Sequence, residues 1–243
     1  MKLGPKLEHE HTPEAIATRL RDEPRPGYLR DWIYGGIDGA VTTFAVVCGS
    51  AGAQLSAKTV LILGFANLFA DGFSMAAGNF LGTRSEVEER KRIAAYEQEQ
   101  IQNEPVGERE EIRQILRKKG FEGDLLERAV VLLTADPDRW LKTMLSEEYG
   151  LSASARSPWR AALCTFSAFL ACGLIPLGPF LLTAADPTIW ALAMTMVVFF
   201  LIGSMKSRWS LNSWWSSGLT TLGIGSSAAA IAYGIGLALG RTT

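Results

Sequence analysis

The chain has 243 residues, with 24 basic and 25 acidic side chains, a formal net charge of −1 and 48% hydrophobic residues. That balance, without any basic cluster interleaved with aromatics, argues against a nucleic-acid partner. The three cysteines, Cys48, Cys164 and Cys172, all fall inside apolar stretches, where free Cys behaves as a small buried hydrophobe. No disulfide framework is expected, and although a Cys48 thiolate would suit a soft metal, packing is the simpler reading.

The average conceals two kinds of segment. Uncharged runs span residues 39–57, 161–185, 187–205 and 209–240, and a further run from Thr59 to Thr83 is broken only by Asp71. Each is about the 20 residues a transmembrane helix needs. Residues 84–160, by contrast, hold 14 of the basic and 16 of the acidic side chains. The pattern predicts an all-α membrane protein: a polar tail over 1–28, two transmembrane helices within 29–83, a cytoplasmic helical insert over 84–157, and three more transmembrane helices within 158–243. With the N-terminus inside, 22 of the 24 Lys and Arg face the cytoplasm and only Lys58 and Arg241 face out. The positive-inside rule therefore sets the N-terminus inside and the C-terminus outside. The first thirty residues have no apolar core of a signal peptide, and this short tail favours a bacterial inner membrane over a vacuole.

Within the tail, Pro13 to Arg21 reads as a short amphipathic piece. His9 and His11, flanked by Glu8 and Glu10, could bind a divalent metal weakly, but a disordered tail is the plainer reading. The first span opens around Leu29, and Trp32 and Tyr34 suit the aromatic belt at the interface. Gly35 and Gly39 form a GxxxG pair on either side of Asp38, which predicts Asp38 at a helix contact. A carboxylate snorkelling to the surface or capping a helix is the alternative.

From Thr59 to Gln102 the sequence reads as one helix of roughly 65 Å, of which the hydrocarbon core takes up about 30 Å. Asn67, Asp71 and Met75 recur every four residues and share a face, and Ser74 and Asn79 add polar atoms. Such a stripe can line a path or serve as hydrogen-bond glue. Asp71 is harder to explain as glue, because an ionisable group in the bilayer is by default a functional hypothesis.

In the insert, helices are expected to end near Asn103, to run from Gly107 to Lys119 and from Gly123 to Thr134, and to restart at Asp136-Pro137, an N-cap with Pro in the first helical position. Glu97, Glu104, Glu108, Glu111, Glu147 and Glu148 concentrate there. Divalent cations take carboxylate oxygens from several directions; a solvated charged surface is the bland reading. Pro176 and Pro179 should kink the third span. The fourth span, Pro187 to Met205, follows a short turn, and the fifth follows the aromatic cluster Trp209, Trp214 and Trp215. No phosphate-binding Gly-rich loop, nucleophile motif or HExxH is present, so an enzyme is not expected.

The segments YGGIDGAVTTFAV, ADGFSMAAGNFLGTRSE and GLIPLGPF, with an acidic helical insert ending DRWLKTMLSEEYGL, closely resemble the vacuolar iron transporter family, in its bacterial-type form, over about residues 29–240. The resemblance implies a homodimeric antiporter that exports divalent iron against protons, with its path at the dimer interface and a cytoplasmic metal-binding domain. By the same resemblance Asp38 and Met75 line the path, and Glu97, Glu108, Glu111, Met144 and Glu148 bind metal. Three positions depart from the family pattern. Asn67 stands where the plant-type pattern has a glutamate, with Asp71 one turn on as a replacement carboxylate; Gln100 replaces another glutamate; Leu145 replaces a second methionine.

The sequence thus predicts Fe2+ as cargo, with Mn2+ or Zn2+ as further candidates, protons as counter-ions, the bilayer and a second copy as partners, and no cofactor. An uncoupled metal channel and a membrane-anchored metal-binding scaffold are the rivals. Asp38 and Asp71 weigh against the scaffold, because an anchor needs no carboxylates in the bilayer.

Overall fold

Prolines, glycines and capping residues cut the chain into helices. The structure, a computed structural model, describes residues 11–21, 27–151, 155–182, 185–207 and 212–241, and among these residues every regular element is helical. In chain order they are α1 (Pro13–Arg21), α2 (Leu29–Gly52), α3 (Ala57–Asn103), α4 (Pro105–Lys118), α5 (Gly123–Thr134), α6 (Pro137–Glu147), α7 (Pro158–Gly173), a 3-10 turn (Ile175–Leu177), α8 (Gly178–Leu181), α9 (Pro187–Lys206) and α10 (Trp214–Gly240). Among the described residues, five stretches are long and apolar enough to cross a membrane: α2, α3, the run Pro158–Leu181, α9 and α10. The chain forms two compact units, one of Gly27–Arg84 with Ser157–Thr243, the other of Met1–Pro26 with Ser85–Arg156.

In the span unit, α2 packs against α7, α9 and α10. Lipid tails are as apolar as leucine, so helices in a bilayer associate by close packing rather than by hydrophobic expulsion. Small residues make that possible here. A Cβ on Gly35 or Gly39 would collide with the backbone carbonyls of Thr165 and Phe169 on α7, and one on Gly236 of α10 would collide with the Gly49 carbonyl of α2. Between the backbones, Phe44 and Phe199 meet edge to face at 6.1 Å, and Leu68, Phe169 and Leu177 are fully buried. The expected kink in the third span is a break. Pro176 and Pro179 lack the N–H that would continue the α-helical ladder, and the chain passes through the 3-10 turn into the four-residue α8. Phe69, Phe73, Ile189, Val197 and Ile231 are exposed, as side chains facing lipid would be. Trp159, Trp190, Trp214 and Trp215 are exposed near helix ends, in keeping with interfacial belts; Trp209 lies outside the described residues.

In the polar unit, α5 spans the residues expected of it and α6 opens as predicted, the Asp136 carboxylate accepting from the Asp138 and Arg139 amides at 3.0 and 3.3 Å. Helix α4 starts two residues before the expected Gly107, because Pro105 fills its first position with no donor to lose. The chain leaves α4 through Gly120, whose φ of +91° is costly for a residue with a Cβ. Ile112, Leu116, Leu126, Val130, Trp140 and Met144 form the core. Arg113 bridges to Glu110 and Glu127 on its surface, a pairing worth little in water.

Candidate functional site

Two sets of side chains stand out, one in each unit. On α3, Asn67, Asp71 and Met75 are all half-buried, and Met75 packs against the Leu68–Phe169 cluster. The Asn67 amide nitrogen is buried without a hydrogen-bond partner, a state that costs about 1–3 kcal/mol unless something outside the single chain satisfies it. Asp38 of α2 is exposed, and its carboxylate is within electrostatic reach of Asp71. Within the single chain, the expectation that Asp38 shares the GxxxG contact needs correction. Gly35 and Gly39 occupy the seam with α7, but each helical residue turns by about 100°, so Asp38 projects off that seam.

One turn beyond Met75 on the same stripe, Asn79 is the centre of a polar knot. Its amide donates to the Asp31 carboxylate at 2.9 Å, to the Thr165 hydroxyl at 2.7 Å and to the Ala161 carbonyl at 3.3 Å, and its carbonyl accepts from Thr83 at 3.3 Å. Asp31 is only 6% exposed. The knot ties α2, α3 and α7 together. In the sequence Asn79 stands out only as one more polar atom, and Asp31 carries no mark of its own. Its seven-residue spacing from Asp38, which returns to nearly the same helix face, was the available signal.

In the polar unit, Glu97 of α3 and Glu108 of α4 are 1% and 3% exposed, whereas Glu111 and Glu148 are exposed. Burial, a hydrogen bond shared with Glu97, and the like charges of Glu97, Glu111 and Glu148 push the Glu108 carboxyl up to about 8. Glu148 is raised too, by burial first and then by Glu111 and Glu97. The Tyr149 hydroxyl, which the sequence did not flag, donates to Glu97 at 3.2 Å; burial and its carboxylate neighbours push its proton loss upward. Glu97 Oε1 and Glu108 Oε2 are buried without hydrogen-bond partners. The four glutamates are therefore neighbours that repel one another. They are not yet a ligand set: among the described residues no three His, Cys, Asp or Glu side chains are arranged to hold a metal ion.

The other candidates fall elsewhere. Met144 is fully buried in the apolar core with Ile112 and Trp140, Leu145 is buried and Gln100 is half-buried. Glu147 pairs with Lys119, and Glu104 is exposed just before α4. His9 lies outside the described residues. Cys48 is half-buried against the Phe44–Phe199 cluster, and the Cys164 thiol donates to the Tyr28 carbonyl at 3.3 Å.

The sequence profile of the VIT family matches residues 29–237. This chain belongs to the VIT family. Among its VIT relatives, vacuolar iron transporter 1 of Tulipa gesneriana is 32% identical over 214 residues, 87% of each chain. The protein of the same name from Arabidopsis thaliana is 32% identical, over 84% of this chain and 83% of its own. The vacuolar iron transporter of Toxoplasma gondii is 30% identical over 86% of this chain and 73% of its own. Membership of the VIT family, together with the five apolar helices, makes the chain a multi-pass integral membrane protein and not an enzyme.

Proposed function

We propose that this protein transports iron, moving Fe2+ from the cytosol across its membrane in exchange for protons, as a homodimer whose ion path runs between the protomers. The observation that carries this reading is Asp38. It is exposed about nine residues into an apolar helix, within electrostatic reach of Asp71, where a carboxylate facing hydrocarbon would cost several kcal/mol. A second copy covering that face would remove both carboxylates from lipid and leave them lining a path. Relatives named as iron transporters, matching over most of this chain, support the cargo.

In this reading the polar unit is cytoplasmic and captures the ion. Glu97, Glu108, Glu111 and Glu148 supply oxygens, Met144 a soft donor from the core, and a cation binding there displaces the proton that Glu108 holds at neutral pH. In the membrane, Asp38 and Asp71 take the ion, and Asn67 donates hydrogen bonds that orient the carboxylates. The Met75 thioether, softer than oxygen, favours Fe2+ over Mg2+ or Ca2+ while admitting Mn2+ or Zn2+. Protonation of the two aspartates removes the charge that holds the cation, so the same groups carry protons back. The N-terminus is inside, the C-terminus outside, and the membrane is a bacterial inner membrane.

The deciding experiment is Fe2+ uptake by proteoliposomes containing the purified protein and a pH-sensitive dye. Metal entry with opposite proton movement, abolished by Asp38→Ala, is the expected result. Flux indifferent to the pH gradient would make the protein an uncoupled channel. Metal binding without flux would leave a membrane-anchored metal scaffold.

A further inference from the structure

A cavity of about 540 Å³ opens between the start of α2 and the end of α9 in the span unit, and its walls include Leu29, Arg30, Ile33, Tyr34, Ile37 and Lys206. The residues from α2 fall at spacings of three and four, so Arg30, Ile33, Tyr34 and Ile37 form one stripe along the helix. Ile33 and Ile37 lie about 5 Å and 10 Å deeper along the axis than Arg30. Arg30 is held over the Tyr34 ring, 5.5 Å from its centre, in cation–π geometry. Lys206 is the last residue of α9 and exposed. Among the described residues the lining holds two cations and no carboxylate. Helix α2 also begins without a side-chain cap, which leaves first-turn amides at the same end.

Two cations at the rim and an apolar groove leading inward along a membrane-spanning helix match one kind of molecule. We propose that this cavity binds an anionic phospholipid, its phosphate between Arg30 and Lys206 and one acyl chain along Ile33 and Ile37. A soluble phosphate would use the cations and leave the apolar wall exposed, and a zwitterionic lipid would bring a choline or ethanolamine cation up against Arg30 and Lys206. The site shares no residue with Asp38, Asp71 or the glutamate cluster, so it stands whether or not the protein exchanges metal for protons.

The test uses the purified full-length protein in detergent, titrated with dioleoyl phosphatidylglycerol or dioleoyl phosphatidylcholine and read by native mass spectrometry. Two membrane-surface cations together favour an anionic lipid by about thirtyfold. The wild type should retain phosphatidylglycerol over phosphatidylcholine by that order, and Arg30→Gln/Lys206→Gln should lose most of the preference. The Arg30→Lys/Lys206→Arg variant should keep it. Should the charge-removing variant fail to fold, Ile37→Trp decides, because it fills the groove with both cations in place and should release the lipid. Equal retention of the two lipids by the wild type would overturn the proposal. So would retention unchanged in either the charge-removing or the groove-filling variant, or inorganic phosphate competing the lipid away at low millimolar concentration.

Discussion

Glu97 and Glu108 come from different helices, are both nearly inaccessible to solvent, and stand close enough to share a proton. Two carboxylates so placed cannot both ionise without a counter-charge, which explains why Glu108 holds its proton up to about pH 8. Metal binding must displace that proton. Affinity of the full-length protein for Fe2+ or Mn2+ should therefore fall about tenfold per pH unit below about 8. Calorimetry in buffers of differing ionisation enthalpy counts the released protons; a pH-independent affinity would remove Glu108 from the site.

The same shift sets a stability trend in the absence of metal. Glu108 is raised above its ordinary value of 4.5, so the folded state binds more protons than the unfolded chain between these values. Its contribution is fully present below about 4.5 and is lost as pH rises through about 8. The melting temperature of the metal-free protein should decline across this window, and Glu108→Gln, which cannot ionise, should flatten the decline.

Asn79 and Asp31 offer a separate test. They are 48 residues apart in sequence, and the hydrogen bond joins α2 to α3. Removing the donor with Asn79→Leu takes this hydrogen bond from a buried carboxylate, at a cost of about 1–3 kcal/mol. A double-mutant cycle with Asp31→Leu, which removes the acceptor as Asn79→Leu removes the donor, should give a coupling of about 1–2 kcal/mol, near the upper end for interhelical hydrogen bonds in membranes. Additive effects would mean that the bond contributes nothing net.

This knot also marks how far sequence reading reaches. Spans and breaks were legible because they are local: uncharged runs give helix lengths, Asp136 and Pro137 carry a cap, Gly120 ends a helix. The face that Asp38 presents was misjudged because Gly35 and Gly39 identify a contact without saying which neighbours share it. Asn79 with Thr165, and Tyr149 with Glu97, are 86 and 52 positions apart, and periodicity carries no information on such distances. Conversely, Met144 sits at a helical spacing that serves the core as well as a metal site, so its sequence position alone could not assign it.

Close packing around α2 leads to a contrast between two glycines. At Gly39 an added methyl would meet the backbone of Phe169, which cannot move aside as a flexible side chain would, whereas at Gly78 nothing lies within 4 Å. Gly39→Ala should destabilise by about 1–3 kcal/mol through overpacking. Gly78→Ala should be neutral or stabilising by up to about 1 kcal/mol from helix propensity. Thermal melting in detergent compares them, and equal effects would show that α2 and α7 do not meet as described.

The dimer reading makes a geometric demand on Asp38. If the exposed carboxylate is covered by a second copy, the two protomers bring their Asp38 positions towards one axis, as any two-fold interface does for residues near its centre. In a background with Cys48, Cys164 and Cys172 replaced by serine or alanine, Asp38→Cys should form a covalent dimer with a short bifunctional thiol reagent. A cysteine at Ile231, exposed on α10, should not. Because Asp38 is already exposed in the single chain, the substitution should leave folding intact, so failure to cross-link would count against the interface itself. Dimers trapped equally from both positions would indicate random collision in the micelle.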